Sequence, residues 1–174
     1  MKTRKVLLID DDAEDRQFFQ EALEEVAPEI ICITSGNCRL TIEQLNKKEF
    51  DLPDIIFLDI NLPKISGWQC LSILKEHEAY KSIPVIMYST SSHAEEVKKA
   101  MQLGAFCFFT KPSDFKDLKD ALSIVARHLN NNSLPSLIDN SSSLLFLKPS
   151  IAVTALAKSL TCFGLLIMFF SQSA

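Results

Sequence analysis

Five short apolar runs, separated by longer amphipathic stretches, constrain the fold of this 174-residue chain more than any other feature. A run of about four apolar residues suits a strand that is buried on both faces of a sheet. The stretches between the runs carry apolar residues at helical spacing, as Phe19, Leu23 and Val26 do. The predicted strands are 6–9, 30–33, 55–58, 85–88 and 106–109, and the predicted helices are 13–26, 38–48, 66–78, 93–103 and 114–129. This alternation predicts parallel βαβ units with helices on both faces of one sheet, which is a doubly wound α/β fold.

The composition of the chain changes after residue 129. Residues 130–143, NNNSLPSLIDNSSS, are rich in Asn and Ser, which is typical of a flexible linker. We therefore predict a folded domain over 4–129, a linker over 130–148 and an apolar C-terminal tail over 149–174. Within the tail, residues 151–170 carry a single charge, and a helix of that length would rise about 30 Å, enough to cross a bilayer core. A membrane anchor, a docking helix and a poorly ordered tail all stay open.

The charge balance argues against direct binding of nucleic acid. The net charge is -4, and the segment from residue 131 onward holds one aspartate and two lysines, so residues 1–130 carry -5. Proteins that bind phosphate backbones do so with clustered Lys and Arg, which an acidic domain lacks. The start of the chain, MKTRKVLLID, has an apolar run of only four residues, whereas a secretory signal needs about 7 to 15. We expect a cytoplasmic domain that signals by protein contact.

The cysteines give no sign of a metal or redox motif. The five of them are odd in number and widely spaced, and no two form a C-x-x-C pair. They predict reduced thiols that serve as small buried hydrophobes. Their positions are Cys32, Cys38, Cys70, Cys107 and Cys162.

Polar side chains follow four of the predicted strands, at the edge of a parallel sheet where ligands usually bind. Asp10 and Asp11 end the first run, and Asp59 ends the third. Three carboxylates at one edge repel one another unless a cation lies between them, and oxygen ligands favour a hard ion such as Mg²⁺. Ser89 and Lys111, which follow the fourth and fifth runs, offer a hydroxyl donor and a positive charge to phosphoryl oxygens. The set predicts a site for a phosphorylated aspartate.

The sequence segments that carry these residues resemble those of the receiver domains of two-component response regulators. VLLIDDD resembles the first strand of that family with its paired acids, and IIFLDINLPKISG resembles its phosphoacceptor segment. PVIMYSTSS and GAFCFFTKP complete the set, and the resemblance covers about residues 4–129. It implies a five-stranded sheet of order 2-1-3-4-5 and a chain that accepts a phosphoryl group from a phosphohistidine. The donor would be a sensor histidine kinase or a histidine phosphotransfer protein, and the output would be contact with a downstream protein.

The resemblance also implies a role for each matching residue. Asp59 would be the phosphoacceptor, and Mg²⁺ would be held by Asp10, Asp11, Asp59 and the backbone carbonyl of Asn61. Ser89 and Lys111 would contact the phosphoryl group, and the peptide bond between Lys111 and Pro112 would be cis. The aromatic switch position falls on Phe108, which lacks the hydroxyl of a tyrosine. The domain would catalyse only its own phosphorylation and dephosphorylation, and homodimer formation stays open.

Three other interpretations fit parts of the sequence. Asp10 and Asp12 form an Asp-x-Asp pair after an apolar strand, as in the haloacid-dehalogenase type of Mg²⁺-dependent phosphatase. That motif ends in Thr or Val, whereas this chain has Glu14, and we expect Asp12 to cap the following helix. A flavodoxin-like electron carrier would need a phosphate-binding loop after the first strand, but residues 10–15 are DDDAED. A receiver that binds partners without phosphorylation is the third alternative.

Overall fold

A parallel sheet with helices on both faces forms the central part of the chain. The structure is a computed structural model, and it describes residues 3–91 and 93–134 and the backbone of 153–154. The strands are β1 (Lys5–Ile9), β2 (Ile31–Ser35), β3 (Ile55–Asp59), β4 (Val85–Ser89), β5 (Cys107–Thr110) and β6 (Val153–Thr154). The helices are α1 (Ala13–Val26), α2 (Cys38–Lys47), α3 (Gly67–Glu76), α4 (Ala94–Gln102) and α5 (Phe115–Asn130). The first five strands are parallel and lie in the order β2-β1-β3-β4-β5, which confirms the predicted fold class and strand order.

The sixth strand was not predicted. Val153 and Thr154 pair antiparallel with Phe109 and Phe108, so β6 extends the sheet beyond β5. Apart from these two backbone positions, the predicted membrane or docking segment over 151–170 lies outside the described residues. In the part of the chain that is described, no helix is both long and apolar enough to cross a lipid bilayer. The boundaries predicted for domain, linker and tail stay predictions.

Two hydrophobic clusters, one on each side of the sheet, make up the core. The first contains side chains of α1 and α5, such as Phe19, Leu118 and Leu122, which pack on Phe57 of β3. The second contains side chains of α2, α3 and α4, among them Leu71, which pack on the opposite side of the same strands. The strands carry apolar residues at nearly every position because both of their faces are covered. This burial on both faces explains the five short apolar runs in the sequence.

Helix caps fix the loops that follow the strands. The carboxylate of Asp12 accepts hydrogen bonds from the backbone N–H groups of Glu14 and Asp15, which confirms the prediction that it caps α1. At the start of α3, Ser66 and Gln69 form a reciprocal capping box. These caps set the point at which each helix leaves the edge of the sheet. They therefore fix the backbone next to the polar residues described below.

The prediction that all cysteines are reduced is wrong for one pair. Cys38 of α2 and Cys70 of α3 form a disulfide, with their Cα atoms 6.0 Å apart. They are 32 residues apart in sequence, but α2 and α3 lie side by side on the same face of the sheet. Cys32 and Cys107 have free thiols, and burial raises the pKa of each to about 12. Only the three-dimensional packing, not the spacing of the cysteines, brings the first pair together.

Candidate functional site

Three carboxylates meet at the edge of the sheet where β1 and β3 end. These strands are neighbours and run parallel, so Asp10, Asp11 and Asp59 arrive at the same place. One oxygen of each carboxylate lies within 4.8 Å of those of the other two. Asp10 and Asp59 are buried, whereas Asp11 is exposed. Three hard oxygen donors at this separation fit a divalent cation, although their role as metal ligands stays a prediction.

Backbone hydrogen bonds hold the two buried carboxylates in place. The N–H of Asp12 donates to Oδ1 of Asp10 over 3.0 Å, and the N–H of Asn61 donates to Oδ2 of Asp59 over 2.8 Å. Burial raises the pKa of Asp59, while the charge of Lys111 lowers it and the charge of Asp10 raises it, and the net shift is upward. The ionised form of Asp59 is therefore costly in this site. A cation beside it would reduce that cost.

Lys111 places its ammonium group among the carboxylates. Its Nζ lies 2.7 Å from Oδ2 of Asp10, 2.8 Å from Oδ2 of Asp15 and 3.4 Å from Oδ1 of Asp59. The ammonium also lies 5.2 Å from the centre of the Tyr88 ring, within the range of a cation–π contact. Burial would lower the pKa of Lys111, but its hydrogen bonds to Asp10 and Asp15 and the charge of Asp59 raise it overall. The side chain therefore stays charged.

The remaining predicted site residues lie at the same edge or just below it. Ser89 is buried at the end of β4, where its Oγ accepts a hydrogen bond from the N–H of Ser91 over 3.1 Å. Its backbone carbonyl accepts one from the N–H of Lys111 over 2.7 Å, which ties β4 to the lysine. Asn61 is exposed beside the carboxylates. Phe108 is fully buried in the second hydrophobic cluster, so the structure describes the inward position of this side chain.

The expectation that the peptide bond before Pro112 is cis is wrong. No peptide bond in the described part of the chain is cis. An X–Pro bond favours trans by about 0.5–1 kcal/mol, so trans is the default unless the fold enforces the other form. Here the orientation of Lys111 is set by its backbone bond to Ser89 and by its ion pairs with Asp10 and Asp15.

The arrangement does not fit the Asp-x-Asp interpretation. The carboxylate of Asp12 is occupied in capping α1, and Asp11 takes the place beside Asp10 and Asp59. A phosphatase of that type would need Asp12 directed into the site. The pair of acids that faces Asp59 is therefore Asp10 and Asp11, not Asp10 and Asp12.

Several residues that shape the site were not predicted from the sequence. Asp15 binds Lys111, and Nη1 of Arg16 donates to the backbone carbonyl of Asp10 over 2.7 Å. Tyr88 lies under Lys111, and Gly67 begins α3 directly against the backbone of Asp59. The sequence offered one signal, since Asp15 and Arg16 lie in the first turn and a half of the helix that follows the paired acids. Charge and spacing alone did not show which of these side chains turn towards the site.

Comparison with known proteins places these features in one family. The family model for the response regulator receiver domain matches residues 6–123, which is more than half of the chain. The response regulator Rcp1 of Synechocystis is 31% identical over 117 residues, which cover 65% of this chain and 80% of that protein. Protein PilG of Pseudomonas aeruginosa is 31% identical over 118 residues, which cover 68% of this chain and 84% of that protein. The two-component response regulator-like protein APRR9 of Arabidopsis thaliana is 33% identical over 132 residues, but this chain spans only 28% of its length.

Solved structures show the same fold. The phosphorylated cyanobacterial phytochrome response regulator RcpA superposes with a TM-score of 0.69 at 25% identity, covering 75% of this chain and 96% of that chain. The chemotaxis response regulator CheY4 of Vibrio cholerae gives a TM-score of 0.59 at 26% identity, covering 71% of this chain and 99% of that chain. The Mn²⁺-bound form of Rcp1 gives a TM-score of 0.63 at 24% identity, over 88% of this chain and 99% of that chain. With the family match over residues 6–123, this chain belongs to the response regulator receiver domains of two-component signalling.

Proposed function

We propose that this chain accepts a phosphoryl group from a phosphohistidine onto Asp59 and signals its phosphorylation state by contact with another protein. One observation carries the proposal: Asp59 lies within 4.8 Å of two further acids and has the ammonium of Lys111 at 3.4 Å. A cluster of acids with one lysine can neutralise the charge of a transferring phosphoryl group and orient it. The phosphodonor would be a sensor histidine kinase or a histidine phosphotransfer protein.

The residues divide the chemistry among them. A carboxylate oxygen of Asp59 attacks phosphorus, the P–N bond to the donor imidazole breaks, and its electron pair stays on the imidazole nitrogen. The N–H of Asn61 holds Oδ2 of Asp59 over 2.8 Å, which fixes the orientation of the carboxylate for attack. Lys111 and the hydroxyl of Ser89 then bind phosphoryl oxygens. The chain performs this reaction only on itself.

A divalent cation fits the acid cluster. We propose that Asp10, Asp11 and Asp59 hold Mg²⁺ together with the backbone carbonyl of Asn61, since these are hard oxygen donors. Mg²⁺ bound there would supply positive charge that stabilises the transferring phosphoryl group. The Mn²⁺-bound structure of Rcp1 supports a divalent cation in a similar fold. Burial raises the pKa of Asp59, and a cation bound beside it would favour the ionised form that attacks phosphorus.

Signalling would follow from the link between the site and β5. Lys111 directly follows β5, and its N–H is bonded to the carbonyl of Ser89. A phosphoryl group that draws Ser89 and Lys111 together would therefore act on the strand that carries Phe108. We propose that the repacking of Phe108 against α4 changes the surface that a partner protein recognises. The acidic charge of residues 1–130 favours a protein partner over nucleic acid.

Phosphorylation by acetyl phosphate tests the proposal directly. With Mg²⁺ present, intact-mass measurement should show one added phosphoryl group that is labile to hydroxylamine, and Asp59→Asn should abolish it. Asp12→Asn is the matched control, because Asn also caps helices and the variant removes a neighbouring charge. Labelling that persists in Asp59→Asn, or that needs no divalent ion, would contradict the assignment of acceptor and metal site.

A further inference from the structure

Lys111 is shared unequally between its three carboxylates. Its distances to Asp10 and Asp15, 2.7 and 2.8 Å, are those of charge-assisted hydrogen bonds. The distance to Asp59, 3.4 Å, is longer than the usual range for such a bond. In this structure the ammonium therefore lies on the side of the site that faces α1.

The two carboxylates that bind Lys111 closely differ in burial. Asp10 has a side chain that is 1% exposed, and it receives a further hydrogen bond from the N–H of Asp12. Asp15 lies in the first turn of α1 at the rim of the site, with a side chain that is 44% exposed. Water can solvate Asp15 when its ion pair breaks, whereas separating Lys111 from Asp10 would leave a buried charge without its partner. Asp15 is therefore the partner that Lys111 can leave at low cost.

A phosphoryl group on Asp59 would compete for the same ammonium. It brings about -1.5 to -2 charges near neutral pH and three strong acceptor oxygens. The nearest oxygen of Asp59 is already 3.4 Å from Nζ of Lys111, so a short movement of the lysine would reach the new acceptors. The movement would lengthen the contact with Asp15 because that residue lies on α1, away from β3.

We infer that Asp15 is a positioning residue that holds Lys111 on the α1 side of the site and releases it when Asp59 is phosphorylated. The inference rests on the proposed function and deepens it. Asp15 then stabilises the unphosphorylated form relative to the phosphorylated form. Removing its charge should free Lys111 for the phosphoryl group and make phosphorylation more favourable.

Three variants separate this role from a simple effect of charge. Asp15→Asn keeps the shape of the side chain and removes the charge, and Asp15→Glu keeps the charge. Glu14→Gln removes an exposed charge from the same turn of α1 but leaves the ion pair of Asp15 with Lys111 intact. The rate of acetyl phosphate labelling is measured against donor concentration, which separates the saturating rate from half-saturation. The Lys111 side-chain ammonium is observed in parallel by ¹⁵N NMR, with Lys111→Arg to identify its signal.

Asp15→Asn should raise the saturating rate about two- to fivefold, as expected for the loss of one half-exposed ion pair. Asp15→Glu should restore a rate close to that of the native chain, and Glu14→Gln should leave it unchanged. In the absence of donor and metal, the Lys111 signal should shift in Asp15→Asn and not in Glu14→Gln. Equal rate increases in Asp15→Asn and Glu14→Gln, a slower Asp15→Asn, or an unshifted Lys111 signal would each overturn the inference. If no variant is phosphorylated, the proposed function fails, and the NMR signal alone decides whether Asp15 holds Lys111.

Discussion

Gly67 and Asp59 are packed backbone to backbone. A Cβ added at Gly67 would lie 2.0 Å from the carbonyl oxygen of Asp59 and 2.7 Å from the Cα of Ile60. The N–H of Gly67 also donates to the carbonyl of Ile60 over 2.9 Å. The start of α3 thus rests directly on the segment that carries the proposed phosphoacceptor.

Gly67→Ala should damage both stability and phosphorylation. The new methyl group meets backbone atoms that cannot rotate away, so we expect a loss of about 1–3 kcal/mol in the free energy of unfolding, as for other overpacked sites. Gly36→Ala is the matched control, since its nearest contact, at 3.1 Å, is the flexible end of the Arg16 side chain. Urea denaturation gives the free energy of unfolding of each variant, and equal losses in Gly67→Ala and Gly36→Ala would contradict the explanation.

Ser89→Ala should permit phosphorylation but uncouple it from changes around Phe108. The hydroxyl of Ser89 is the proposed link between the phosphoryl group and β4, and the alanine keeps the backbone bond to Lys111. Hydrogen exchange across residues 89–111 should respond to phosphorylation in the native chain and in Ser89→Thr, but not in Ser89→Ala. Ser91→Ala, which keeps the hydroxyl of Ser89, serves as control. An unchanged response in Ser89→Ala would count against the role of this hydroxyl.

Asp59→Asn should stabilise the metal-free chain at neutral pH. Burial raises the pKa of Asp59 above its ordinary value, so the folded state binds the proton more tightly than the unfolded state does. The stability that this proton contributes is present below the unfolded pKa and is lost as the pH rises through the folded pKa. The neutral Asn avoids that loss, so its melting temperature should exceed that of the native chain at pH 7 and the difference should shrink towards about pH 4. Mg²⁺ should raise the melting temperature of the native chain more than that of the variant, and equal melting temperatures at pH 7 without metal would refute the prediction.

A reductant should destabilise the chain through Cys38 and Cys70. Their disulfide closes a loop over a sequence separation of 32 residues, for which about 2–4 kcal/mol of stabilisation is typical. We expect the unfolding midpoint of the native chain to fall on reduction, and that of the double variant Cys38→Ala, Cys70→Ala to stay constant. Peptide mapping of an unreduced digest provides a direct check. Finding both thiols free in oxidised protein would show that the bond does not form.

The apolar tail should change how the chain partitions. We predict that the full chain associates with membranes or with itself, whereas a chain ending at Asn131 stays soluble and is still phosphorylated. The physical reason is the 20-residue apolar stretch 151–170, in which Lys158 is the one charge. Flotation with lipid vesicles and the solution mass distinguish the outcomes, and Leu166→Asp in the full chain should weaken either kind of association. A full chain that stays soluble and monomeric without detergent would exclude an anchor.

The fold could be predicted from the sequence because burial on both faces of a parallel sheet leaves a continuous apolar run for each strand. The first helix was predicted over 13–26 and was found as Ala13–Val26. Small errors arose at helix ends, where local geometry decides. For example, α2 ends at Lys47 because Lys48 adopts a left-handed backbone conformation, with φ of 56°.

The gathering of Asp10, Asp11 and Asp59 could also be anticipated, because parallel strands end at one edge of a sheet. The contact of Asp15 with Lys111 and the disulfide could not. Both depend on how helices rotate and pack against their neighbours, and nothing in the spacing of these residues encodes that. The close approach at Gly67 is equally hidden, since a glycine in a loop has many other uses.

Successive residues of β5 belong to opposite sides of the sheet. Phe108 packs in the cluster beneath α4, while Phe109 packs in the other cluster, stacked on Tyr88 with the ring centres 5.6 Å apart. The ring of Tyr88 in turn contacts Phe57 and Phe19. A movement of Phe108 would therefore act first on the helices of its own cluster, because its side chain is not part of this group of rings. The sheet separates the two clusters, so a change in packing on the α4 side can alter the surface of the protein without requiring the α1 and α5 side to repack.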